Sequence, residues 1–172
     1  MGMSVTISAA VENDAEQILK LQYLCFQSEA EAYGDYAIAP LTQSLEGLRA
    51  EMAAGSVLVA RLGEEVVGSV RGTVDTDGTA RIDRLFVHPR LQRHGLGGRL
   101  LAAIEAGLAA ERDAKRYHLV TGHRSEGSLR LYRKYGYIPV GTERGRKMTL
   151  TEMTKDAGVV GGTASATAAA SA

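Results

Sequence analysis

Residues 81–99 read Arg81-Ile82-Asp83-Arg84-Leu85-Phe86-Val87-His88-Pro89-Arg90-Leu91-Gln92-Arg93-His94-Gly95-Leu96-Gly97-Gly98-Arg99, and they decide the fold. Thr79 to Val87 has the composition of a strand, which Pro89 closes. Leu100, Leu101, Ile104 and Leu108 then recur on one helical face. Three glycines stand where that helix must begin, and glycine lets backbone N–H groups converge and lets a ligand approach closely. The first N–H groups of a helix lack partners within it, and its dipole favours negative charge there. Strand, glycine loop and helix thus predict a phosphate cradle, with Arg93, Arg99 and His94 adding local positive charge. The same glycines also suit a simple packed helix entry with solvated arginines. No Gly-Lys-Ser/Thr of a nucleotide-triphosphate loop follows, and the spacing does not match a dinucleotide fingerprint.

The flanking sequence supplies the sheet. Val5, Ile7 and Ala9 alternate with Thr6 and Ser8 as a first strand. Asn13 with Glu16 three residues on is a capping-box pattern for a helix that sets Ile18, Leu21, Leu24 and Cys25 on one face. Gly34 and Pro40 punctuate a loop, and Leu45, Leu48 and Met52 give a second helix ending near Gly55. Ser56 to Leu62, Glu65 to Val74 and Thr79 to Val87 form a meander turned at Gly63-Glu64 and Asp77-Gly78. Beyond the glycine loop come a buried strand at Tyr117 to Thr121, a helix from Ser125 to Lys134 ended by Gly136, and closing strands at Tyr137–Val140 and Lys147–Met153. The expected fold is α/β (α+β): a mixed, mostly antiparallel central sheet with helices on both faces, in the order β-α-α-β-β-β-α-β-α-β-β. Residues 1–153 form the expected domain. Residues 154–172, rich in Gly, Ala, Ser and Thr, are expected to be a flexible tail.

A chain of 172 residues fits one domain. Its 20 basic and 20 acidic side chains cancel, so nothing global points to nucleic acid or an anionic membrane, and any anion site must be local. Cys25 is the only cysteine, which excludes an intrachain disulfide. Met1 to Ala10 lacks a basic region followed by a long apolar run, and no stretch reaches the ~20 apolar residues of a spanning helix. A cytoplasmic location is expected. His88, His94, His118 and His123 show no metal-ligand spacing, so no metal site is expected.

Two motifs carry a family resemblance. Gln92-x-x-Gly95-x-Gly97 after Leu85-Phe86-Val87 resembles the acetyl-CoA loop of the GNAT superfamily. Leu131-Tyr132-Arg133-Lys134-Tyr135-Gly136-Tyr137 is similar to a second family pattern in the same order. The stretch Glu29–Tyr36 and Thr121-Gly122-His123 are similar to uncharacterised bacterial members. The resemblance implies acetyl-CoA as co-substrate. It also implies a bulge that splays the 81–87 strand from its parallel neighbour and leaves backbone groups at Leu85, Phe86 and Val87 for the pantetheine arm. The loop Gln92, Arg93, His94, Gly95, Leu96, Gly97 and Gly98 would hold the diphosphate. Tyr132 would be the general acid, or else a core tyrosine packed with Leu129. Ser125 stands where relatives often carry a cofactor-contacting Asn, and it also suits a helix cap. Val120 occupies the place where many relatives have a basic Glu. That leaves Asp83, on the face of Leu85 and Val87, and His123, after the next strand, as candidate bases, with Glu29 and Glu31 on the acceptor side. For each of these an ordinary solvated or ion-paired role is open.

The expected function is acetyl transfer to an amine by direct attack on the thioester. The acceptor is expected to be a small molecule, with a protein or peptide amine as the variant. Acidic Glu29, Glu31 and Asp35 hint at a cationic acceptor. The alternative is a non-catalytic acyl-CoA-binding module without a base. Dimers are common in the family, so a homodimer is compatible with the resemblance.

Overall fold

The computed structural model describes residues 4–158. Seven strands form one sheet in the order β1-β2-β3-β4-β5-β7-β6. They are β1 (Val5–Ala9), β2 (Ser56–Leu62), β3 (Glu65–Val74), β4 (Thr79–Val87), β5 (Arg116–Gly122), β6 (Ile138–Arg144) and β7 (Thr149–Asp156). All neighbours are antiparallel except β4 and β5. The tight turns are those the sequence marks. Gly63 (φ 62) and Gly78 (φ 88) adopt the left-handed conformation that glycine tolerates best, and Asp77 Oδ1 accepts from Thr79 N at 3.0 Å.

Among the described residues, six α-helices cover the sheet: α1 (Ala15–Cys25), α2 (Gln27–Tyr33), α3 (Ala39–Thr42), α4 (Leu45–Ala54), α5 (Leu96–Arg112) and α6 (Glu126–Lys134). Strand alternation sorts the core into two layers. Ala60, Val67, Val70 and Ile82 pack with Leu100, Leu101, Ile104 and Leu108 of α5. Val57, Val59, Val66 and Phe86 face the other way, onto Ile18 and Leu21 of α1 and Leu48 of α4.

Several expectations need correction. The segment around Gly34 and Pro40 holds the short helices α2 and α3 as well as loop. Ala30 and Tyr33 are buried, so tertiary packing supports α2. The turn before α1 is closed by Asp14 rather than Asn13, through Val11 N donating to its Oδ2 at 2.8 Å and an ion pair with Arg61. Leu24 is 50% exposed and leaves the apolar face of α1. The last strand runs past residue 153 to Asp156, because Lys155 is buried and donates to Glu105 Oε1 of α5 at 2.7 Å. Glu105 Oε2 also accepts from Tyr137 OH at 2.8 Å. The rest of the expected tail, 159–172, lies outside the described residues. No helix among the described residues is long and apolar enough to cross a membrane.

Two features of β4 open the sheet. Its parallel pairing with β5 covers only Thr79–Arg81 against Arg116–His118, so the strands diverge beyond that point. Against β3 the register steps from Arg71↔Asp83 to Ser69↔Phe86. Arg84 and Leu85 therefore oppose Val70 alone, a β-bulge, and Arg84 has φ 51. The expected bulge and splay are both present.

Candidate active site

The cleft begins where β4 leaves β5. A cavity of about 910 Å³ is walled by Leu85, Phe86 and Val87 of β4, by the loop into α5, by one face of α6 and by the α1–α2 corner. A Pro89–Leu91 turn carries the chain from β4 to Gln92. Arg93 (φ 68) and Gly95 (φ 77) are both left-handed, and Gly95 is the N-cap of α5. Arg99 N donates to Gly95 O at 3.1 Å, so the N–H groups of Leu96, Gly97 and Gly98 precede the first helical bond. A Cβ on Gly98 would collide with the ring of Tyr135, the C-cap residue of α6, so this glycine also lets α5 and the end of α6 approach.

Of the residues expected around a cofactor, Leu85, Phe86, Val87, Gln92, Arg93, Gly95, Leu96, Gly97, Gly98, Ser125 and Tyr132 all line this cavity. His94 does not; it is exposed on the loop outside the lining. Arg99 is turned away, its guanidinium donating to Val5 O at 3.0 Å. The Val87 carbonyl is already engaged, accepting from Gln92 Nε2 at 3.2 Å and from Cys25 Sγ at 3.4 Å. Ser125 stands at the N-cap of α6 but makes no capping bond, and its hydroxyl lies 3.5 Å from Tyr33 OH. The sequence reading missed Arg124, Arg130 and Ser128. Ser128 could have been found, since it precedes Tyr132 by one helical turn. Arg93, Arg124 and Arg130 surround the cavity with Glu29 as its one carboxylate. A neutral chain thus has a locally positive cleft, which suits a phosphate-bearing ligand.

A second cavity of about 440 Å³ lies on the other side of the bulge. Asp83, Arg84 and Leu85 of β4, Val120–Gly122 of β5, Asp35, Ala37–Pro40 and residues 145–148 of the β6–β7 connection enclose it. Two of the three expected acidic residues are not free to meet a ligand here. Asp35 is held by Arg146 at 2.6 Å and by Ala37 N at 2.9 Å, and Glu31 is exposed outside both linings. Val120, 38% exposed, presents an apolar side chain to this space. His123 lies in neither lining; its Nδ1 is 2.9 Å from Thr149 O at the start of β7.

Five residues line both cavities: Phe26, Glu29, Leu85, Ser128 and Tyr132. Tyr132 is 9% exposed, and its ring meets Tyr137 edge-on at 5.9 Å. Burial, reinforced by the Glu29 charge, pushes its phenol up to about 12, so it holds its proton at neutral pH. Burial also raises the Glu29 carboxyl, against the pull of Arg84. Asp83 keeps solvent contact but is hemmed in between two clefts. This desolvation raises its carboxyl, with Arg84 opposing, Glu51 adding to the rise and Arg71 opposing. Arg71 itself is 3% exposed, held by Gln22 Oε1 at 2.5 Å and Gln43 Oε1 at 3.1 Å, and braces β3 beneath the bulge. Among the described residues, no group of three or more His, Cys, Asp or Glu side chains is arranged to hold a metal ion.

Solved structures share this fold. The chain resembles the PaiA N-acetyltransferase of Thermoplasma acidophilum, solved in complex with coenzyme A, at 17% identity and TM-score 0.75 over 90% of this chain and 99% of that one. It resembles the ribosomal-protein-alanine N-acetyltransferase of Brucella melitensis at 22% identity and TM-score 0.68, covering 88% and 99%. A spermidine N-acetyltransferase of Vibrio cholerae, solved with CoA and spermine, matches at 15% identity and TM-score 0.70, covering 89% and 95%. No curated protein sequence matches the chain. The model of the acetyltransferase (GNAT) family matches residues 15–137, well over half of the sequence, and the chain belongs to that family.

Proposed function

We propose that this protein transfers the acetyl group of acetyl-CoA to an amine that enters from the second cavity. The observation that carries the reading is the meeting of the two cavities at Tyr132. Backbone N–H groups of Leu96, Gly97 and Gly98, with Arg93, hold the diphosphate. The unpaired edge of β4 holds the pantetheine arm. Acetyl-CoA supplies the acyl carbon and a thiol leaving group. Backbone donors at the bulge face the thioester oxygen, where such groups contribute about 3–4 kcal/mol to a transition state. Tyr132, still protonated, gives its proton to the departing sulfur.

Direct attack by the amine is favoured over an acyl-enzyme. The only cysteine, Cys25, has its thiol raised to about 12 by burial, which removes the thiolate that a nucleophile needs. Asp83, on the wall of the second cavity, orients the acceptor. A space of about 440 Å³ suits a small-molecule amine. The spermidine and ribosomal-protein enzymes among the structural neighbours represent the two acceptor classes to be tested. Val120 in place of a basic Glu favours a second reading, a non-catalytic acyl-CoA-binding module. Thiol release from acetyl-CoA, measured over amines and N-terminal peptides, decides between them. Release that scales with one acceptor supports transfer, and tight coenzyme binding with no turnover on any amine supports the module.

A further inference from the structure

On the acetyl-transfer reading, amine and thioester meet where the two cavities adjoin, and five residues border both. Phe26 and Leu85 are apolar, and Ser128 is a neutral hydroxyl. Tyr132 is committed to the sulfur. Glu29 is the one carboxylate that borders both the acyl-bearing groove and the acceptor cavity. Asp83 borders the acceptor side only, and His123 borders neither. Glu29 sits in the first turn of α2, a helix set against the core by Ala30 and Tyr33, so its position is fixed by packing.

We propose that Glu29 is the proton acceptor for the attacking amine, a role that moves to α2 because Val120 leaves β5 without a base. The inference rests on the acetyl-transfer reading above. Glu29 takes one proton from the ammonium, and the freed lone pair forms the C–N bond at the thioester carbon. The C–S bond breaks with its electron pair on sulfur, and Tyr132 protonates that sulfur. The second proton shed by nitrogen restores the Tyr132 phenol, and Glu29 returns its own to solvent. The net change is one amide, one thiol and one released proton.

The charges around Glu29 suit this task. Arg84 from β4 lowers its carboxyl, while Asp83 from the same strand and Tyr132 from α6 face the same space. Cys25 from α1 lies on the groove side. From the β6–β7 connection, Arg146 is taken by Asp35, and Lys147 donates to Gly34 O at 3.1 Å. Desolvation is the larger influence and leaves the carboxylate more basic than an exposed glutamate, while Arg84 limits the rise.

The test compares the wild type with Glu29→Gln, Glu29→Asp and Asp83→Asn over a pH series, with the best amine from the acceptor screen. Glu29→Gln is expected to lower kcat by about 100-fold or more at neutral pH, the lower range for a lost general base. The acidic limb of the kcat profile, which falls as pH drops through the Glu29 ionisation, is expected to vanish in this variant. Glu29→Asp should recover part of the rate and restore the limb, and Asp83→Asn should raise the acceptor KM while keeping it. Thermal protection by acetyl-CoA should persist in Glu29→Gln, which also shows that the variant is folded. Wild-type turnover with Glu29→Gln within about threefold of it, or with the limb retained, overturns the role of Glu29 and leaves acetyl transfer standing. Absence of wild-type turnover on every amine overturns both.

Discussion

Replacing Tyr132 by Phe removes one oxygen from a position where it makes no hydrogen bond to another described residue, while the ring keeps its edge-on contact with Tyr137 at 5.9 Å. The core should therefore accept the change, with a stability shift inside the ±0.5 kcal/mol expected when no packed group or partner is lost. The rate should not. A positioned acid contributes about 10²–10⁴-fold, or about 2.7–5.4 kcal/mol at about 1.36 kcal/mol per tenfold. The loss should fall near the lower end, because the departing coenzyme A thiolate is weakly basic enough for water to protonate it in part. Because the phenol is raised to about 12, the wild-type rate should show no basic limb from Tyr132 ionisation until pH approaches that value. The assay is steady-state thiol release at saturating acetyl-CoA, paired with coenzyme affinity by calorimetry. A fall of about 100-fold in kcat with affinity unchanged is expected. An undiminished kcat would refute the assignment of Tyr132 as acid. A lost affinity would mean that its hydroxyl serves coenzyme binding instead.

Two further predictions concern the frame around the site. Lys155→Met strips the buried Glu105 carboxylate of its ammonium partner and should cost about 3–5 kcal/mol in denaturant unfolding. The double variant with Glu105→Gln should recover much of that loss, and a silent Lys155→Met would show that β7 is not pinned to α5 at this point. Asp14 is held below its ordinary value of 3.8 mainly by the Arg61 hydrogen bond, with burial opposing. Its contribution is present in full above 3.8 and is lost as pH falls through the lower folded value. Asp14→Asn should lower stability at neutral pH and make the acid-side loss shallower, whereas parallel curves would remove Asp14 from the acid response.

The parts of the fold legible in the sequence are those fixed by local chemistry. Asp77-Gly78 and Gly63 announce their turns because few other residues accept a positive φ. The loop Gln92–Gly98 announces itself because glycine at a helix entry has a limited set of uses. The missed parts are set by contacts distant in sequence. Helix α2 reads as polar loop until Ala30 and Tyr33 find the core. Lys155 falls in the expected flexible tail until Glu105 and Tyr137 close around it. Glu29 and Glu31 look equivalent in sequence, yet residues two apart on a helix face different ways, so only Glu29 reaches the cleft. His123 follows the strand that borders the cleft, but its ring nitrogen lies against β7, at Thr149 O. For Ser125 the helix position was legible and the use of its hydroxyl was not.

The most direct test of the account is a crystal structure of the protein with acetyl-CoA. The diphosphate should lie against the backbone of residues 93–98, the pantetheine arm along Leu85–Val87, and the thioester sulfur within hydrogen-bond reach of Tyr132 OH. A coenzyme bound anywhere else, or a sulfur remote from that hydroxyl, would contradict it.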